Sequence, residues 1–163
     1  MQDQKYAVAT VSIPQESRVT ATYATTNLAD AYSIELPLGT SKNPETLARF
    51  IFSNPPAWSS KLLKIRDVIV SVFGIKTAKQ LEKMGAENKE NRVGIFKIYE
   101  IAQNEIVLGE DDKHLDFRLS VLYVNAQSAQ DKPHLVVSTV VHCHNNLWPR
   151  LFVFNYAIPS LGR

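Results

Sequence analysis

At 163 residues, 45% hydrophobic and 21% charged, the sequence is that of one globular domain, long enough to bury a core without cross-links. Its net charge of +2, from 18 basic and 16 acidic residues, is too small to imply nucleic acid or an anionic membrane as a partner. Cys143 is the one cysteine, which excludes an intrachain disulfide and permits a reducing compartment.

The opening Met1-Gln2-Asp3-Gln4-Lys5 leads into no apolar h-region, and no later apolar run reaches the ~20 residues that span a bilayer. The expectation is a soluble, cytoplasmic chain forming a single domain over 1–163, with 1–16 a loosely attached surface segment. Residues 18–23 alternate, with Val19, Ala21 and Tyr23 on one side. Residues 31–36 repeat the pattern, Tyr32, Ile34 and Leu36 facing away from Ser33 and Glu35, and this second run reads as a strand.

Asn43-Pro44-Glu45 then signals a helix start: a capping side chain, a proline in the first turn and an acid at the positive end of the dipole. Leu47, Phe50 and Ile51 form its expected buried face, and Asn54-Pro55-Pro56 must end it. A second helix is predicted over 57–73, where Trp58, Leu62, Ile65, Ile69 and Val72 recur at helical spacing before Gly74. Arg66 falls inside its apolar arc and must either snorkel out or meet an acid. Residues 76–92 read as a charged connection without the aromatics that a nucleic-acid patch would interleave.

From Val93 onward the chain reads as strand: 93–101, 105–110, 113–125 and 134–145. The connections are short, so successive strands should be antiparallel neighbours in a meander. A third helix is predicted over 147–158, apolar on nearly every side and hence buried. The assembled expectation is α+β, with helices on one face of a curved antiparallel sheet.

Three segments carry a resemblance. They are Pro55-Pro56-Ala57-Trp58 with the following Leu63-Lys64-Ile65-Arg66-Asp67, the stretch Leu108-Gly109-Glu110-Asp111-Asp112-Lys113-His114-Leu115-Asp116-Phe117-Arg118, and Val140-Val141-His142-Cys143-His144-Asn145. Together they resemble an uncharacterised bacterial domain-of-unknown-function family within the START and birch-pollen-allergen superfamily, over roughly residues 30–160. The resemblance implies a helix-grip fold, a curved antiparallel sheet wrapped around the C-terminal helix, with two short helices in the N-terminal half. It also implies an apolar cavity between sheet and terminal helix, and it implies no activity. Some relatives carry a nucleotide-binding oxidoreductase domain that this sequence lacks.

The candidate site is the polar stripe in the middle segment. On a strand, Asp112, His114, Asp116 and Arg118 share one face, and His142 and His144 share a face on the next strand, with Cys143 opposite. A symmetric loop over 126–133 would set 116 opposite 142 and 114 opposite 144. Three readings compete. The stripe is a solvent face, its acids and histidines paired across strands with Arg118 and Lys113. Or it is the polar end of a cavity, where Arg66 or Arg118 meets Asp112 or Asp116. Or it holds a metal, for which no His-Glu-x-x-His spacing speaks; no metal is assigned.

No nucleophile elbow, phosphate loop or dinucleotide fingerprint is present, and no cofactor is expected. The expected function is a ligand-binding module for a small hydrophobic molecule. Arg66, Asp112, His114, Asp116, Arg118, His142 and His144 would supply polar contacts, and Phe152 and Tyr156 the cavity wall. The alternatives are an enzyme with His114 and Asp116 as its acid–base pair, and a structural partner domain. A homodimer is left open, and nucleic acid and a membrane span are not expected.

Overall fold

A computed structural model describes residues 8–53, 83, 86, 89–111 and 115–144. Seven strands form one sheet, β1 (Val8–Val11), β2 (Leu28–Glu35), β3 (Arg92–Val93), β4 (Phe96–Ile101), β5 (Glu105–Asp111), β6 (Leu115–Val124) and β7 (His134–Cys143). The spatial order is β1-β2-β7-β6-β5-β4-β3, every pairing is antiparallel, and the sheet does not close. From β3 to β7 each strand lies beside its chain neighbour, which is the expected meander. Gly94, at φ +59°, splits the first expected run into β3 and β4, because a left-handed turn residue interrupts the ladder there.

Helix α1 spans Pro44–Ser53. Its start is the expected one: the Asn43 side chain accepts the Thr46 N–H at 2.9 Å, and the Asn43 carbonyl accepts the Leu47 N–H at 3.1 Å. Leu47, Ala48 and Ile51 are buried, whereas Phe50 is 65% exposed, so the buried face is set by Ala48 rather than Phe50.

The sheet buries both faces. On one, α1 covers Phe96, Ile106, Leu108, Leu115, Phe117, Leu119, Val121 and Val137. On the other lies the strap, residues 12–27, which joins β1 to β2 through turns. It leaves the edge at β1 and crosses to β5 and β4, where Ser17 bonds Glu105 and Arg18 pairs with Glu100. It then returns past β6 and β7, where Asn27 donates to the Val141 carbonyl at 2.8 Å. Val19, 1% exposed, packs with Val107 and Val140 beneath it.

This arrangement corrects two expectations. The helix-grip fold is overturned: the described fold is an open seven-stranded antiparallel sheet with helix α1, not a sheet organised around a C-terminal helix with two helices before it. Helical apolar spacing says that a face must be buried, not against what; here one sheet face is closed by the strap, which that reading did not use. The predicted helices over 57–73 and 147–158 lie outside the described residues. Residues 8–11, expected to be loose, form β1, because Val8–Val11 completes the hydrogen bonds of β2, with Val11 opposite Ala31. Residues 18–23, whose side chains alternate in sequence, are turns in which the Thr20 and Thr22 N–H groups donate back to the Ser17 and Val19 carbonyls.

Candidate functional site

The stripe's facing follows from the register. Asp116 lies opposite His142 and Arg118 opposite Val140, the pairing that the symmetric loop predicted. Side chains alternate, so Leu115, Phe117 and Leu119 enter the α1 face while Asp116, Arg118 and Ser120 point to the strap face. Cys143 faces the α1 core, away from the histidines, and burial pushes its thiol up to about 12. A thiol held there carries almost no thiolate at neutral pH and has no nucleophilic role.

Arg118 is the fixed point. Its side chain is 12% exposed and its fork grips Asp111, with 2.7 Å from one terminal nitrogen to Oδ1 and 3.2 Å from the other to Oδ2. The first of these nitrogens also donates to the Phe117 carbonyl at 2.8 Å, and the guanidinium carbon lies 3.5 Å from the Tyr99 ring centre. Tyr99 and Asp111 thus flank the same guanidinium. The Arg118 hydrogen bond holds the Asp111 carboxyl below the usual carboxylate range. Burial works against the Arg118 charge, and its bond to Asp111 leaves it more basic than an ordinary arginine. Arg118 therefore meets Asp111, an acid that the cavity reading did not name. Gly109, its partner across the β5–β6 ladder, leaves the space for its stem: a Cβ there would strike the Phe117 carbonyl and lie 3.1 Å from Arg118 Cδ.

The histidines sit beside this clamp. His144 Nε2 is 2.8 Å from Asp116 Oδ2, a pair across β6 and the end of β7. His142 stacks on Tyr23 of the strap with ring centres 5.6 Å apart, and also lies 5.6 Å from the His144 ring. His142 Nδ1 is 2.8 Å from the Thr25 carbonyl oxygen. That oxygen can only accept, so Nδ1 carries the proton and donates.

The Tyr23 hydroxyl is buried and has no hydrogen-bond partner among the described residues. Burial pushes its pKa up to about 12; Arg118 lowers it, while Asp111 and Asp116 raise it, so all three stand within electrostatic reach. An acid whose folded pKa exceeds its ordinary value of 10.0 stabilises the fold fully below that value and loses the contribution as pH rises toward 12. We therefore expect stability to fall between these limits, and Tyr23→Phe to flatten that limb in chemical denaturation.

The strap is held over the site by a buried carboxylate. Glu105, 2% exposed, accepts from Ser17 Oγ at 2.7 Å, Ser120 Oγ at 2.6 Å and the Arg18 backbone N–H at 3.1 Å. This anchor sets the turn that brings Tyr23 and Thr25 back to His142.

Of the site residues read from sequence, Asp116, Arg118, His142 and His144 come together on one face; Arg66, Asp112, His114, Phe152 and Tyr156 lie outside the described residues. Tyr23, Thr25, Tyr99, Glu105 and Asp111 were not foreseen. Asp111 reads as a turn residue after Glu110, yet it ends β5; the period-two pattern from Glu105 through Val107 and Gly109 reaches it and could have found it. Tyr23 and Thr25 carry no such signal. Among the described residues no group of three or more His, Cys, Asp or Glu is placed to hold a metal ion, and no helix is long and apolar enough to cross a membrane.

The chain belongs to a family described as a protein of unknown function, DUF2867, whose model matches residues 22–153. That span begins beside Tyr23 and takes in the whole stripe and both histidines. No curated protein and no solved structure matches. What is shown is this family; nothing ties it to the START-like superfamily.

Proposed function

We propose that the protein is a binding module for a small, largely apolar molecule, with the ligand's polar end received on the strap face between Tyr23 and His142. One observation carries this reading: the Tyr23 hydroxyl is withdrawn from water without a partner. An unpaired buried hydroxyl costs roughly 1–3 kcal/mol, and a partner supplied by a ligand would recover it. Around it stand an apolar floor of Val19, Val107 and Val140 and the rings of Tyr99 and His142. Such a mix of apolar walls and few polar groups suits a small-molecule site. The Arg118 fork, engaged by Asp111, would shape the wall rather than grip an acid.

The test is native mass spectrometry of the protein purified from its own cells. A bound small molecule lost in Tyr23→Phe is the expected result. A mass equal to the chain alone, with no ring resonance of Tyr23 or His142 moved by a library of apolar fragments, would overturn it.

A second reading rests on a different contact. The Asp116–His144 pair, at 2.8 Å, is the arrangement that orients an imidazole for acid–base work. In an enzyme of this kind Asp116 would serve His144. Conversion of a bound molecule by the wild type but not by Asp116→Asn would favour it.

A further inference from the structure

We propose that the polar end of the ligand is a neutral hydroxyl, which donates to His142 Nε2 and accepts from the Tyr23 hydroxyl. The inference rests on the binding reading above and adds the chemistry of what is bound. It starts from the tautomer. With its Nδ1 proton given to the Thr25 carbonyl at 2.8 Å, neutral His142 presents Nε2 as an acceptor. Its neighbour Tyr23, kept protonated by burial, presents a donor, and the two rings are stacked at 27° with centres 5.6 Å apart. One donor and one acceptor side by side match a group that is itself one acceptor and one donor.

The surrounding charge excludes the ionic options. Asp111 and Asp116 both face this side, with Arg118 committed to Asp111 and His144 to Asp116. A carboxylate head group would therefore meet two carboxylates and find no open fork. An ammonium would stand beside the Arg118 guanidinium, which lies 5.8 Å from the Tyr23 ring, and would leave the Tyr23 donor unused. A hydroxyl carries neither penalty.

The same geometry fixes a pH dependence. The titratable groups around His142 are Tyr23 from the strap, His144 beside it, Asp116 opposite it, and Arg118 and Asp111 beyond. Protonation of His142 places a proton on Nε2 and removes the acceptor, so acid weakens hydroxyl binding.

The test titrates the full chain with decanol, nonylphenol, the methyl ethers of both, and decanoate, reading the ring resonances of Tyr23 and His142. An ether still accepts from Tyr23 but cannot donate to His142. Each hydroxyl compound that binds should bind about fivefold tighter than its ether, the worth of one neutral hydrogen bond. His142→Phe should erase that ratio, Tyr23→Phe should weaken alcohol and ether alike while leaving it in place, and acid should weaken the alcohol more than the ether. An ether or decanoate binding as tightly as the alcohols would overturn the hydroxyl while leaving the module intact. Binding by none of the probes, together with a ligand-free native mass, would overturn both.

Discussion

Glu105→Ala should lower the stability of the fold by about 3–5 kcal/mol, because one truncation leaves two buried hydroxyls and a backbone N–H without their acceptor. The carboxylate is 2% exposed, and Ser17, Ser120 and the Arg18 N–H all converge on it. The Ser17 hydroxyl also reaches Ser120 Oγ at 3.4 Å, a longer contact that makes good only one of the lost bonds, and Val107 and Val140, nearby on this face, are apolar. Equilibrium urea unfolding measures the loss. Glu105→Gln, which keeps the shape and one acceptor oxygen, should cost about half as much. The functional consequence runs through the strap. Without its anchor at Ser17, the chain no longer returns Tyr23 and Thr25 to His142, so ligand binding should fall in both variants. A loss of less than about 1 kcal/mol in Glu105→Ala would mean that the strap is held by Val19 packing alone.

Gly109→Ala should destabilise by about 2–3 kcal/mol, the opposite sign to the usual gain when a strand glycine gains a Cβ. Gly109 has no unusual backbone angle; what it provides is space. The added Cβ would strike the Phe117 carbonyl oxygen, which is backbone and cannot rotate away, and would crowd the Arg118 stem. That carbonyl also accepts from Arg118, so the collision reaches the clamp on Asp111. Thermal or urea unfolding gives the stability. Loss of the Arg118–Asp111 contact should appear as a shift of the Tyr99 ring resonances, since the guanidinium lies on that ring. Arg118→Ala placed on Gly109→Ala should recover little, because the backbone collision remains.

These two residues show where the sequence was readable. The meander was legible because period-two alternation and short connections act locally, and the 126–133 loop correctly fixed Asp116 opposite His142. That register put four of the named residues on one face. The helix-grip body was not legible in the same way. Apolar spacing reports a demand for burial without naming the surface that meets it, and the resemblance filled that gap with a fold that the open sheet contradicts.

The strap was lost for a different reason. Residues 18–23 alternate like a strand, yet Ser17 and Val19 are held by groups far along the chain, on β5, β6 and β7. Such contacts leave no periodic trace. Glu105 read as a polar strand start, and nothing local says that its carboxylate is buried. Arg118 pairs with Asp111, which reads in sequence as part of the connection after Glu110 although β5 continues to it. His144, read from the sequence as a neighbour of the stripe, pairs with Asp116.

The central claim is that the strap and stripe assemble one hydrogen-bonded site, with Thr25 and Asp116 fixing the two histidine rings. Nitrogen NMR of the imidazole rings, at a pH where both are neutral, tests it most directly. The account predicts His142 protonated at Nδ1, toward the Thr25 carbonyl, and His144 protonated at Nε2, toward Asp116. Two rings averaging freely between tautomers, or His142 protonated at Nε2, would contradict it.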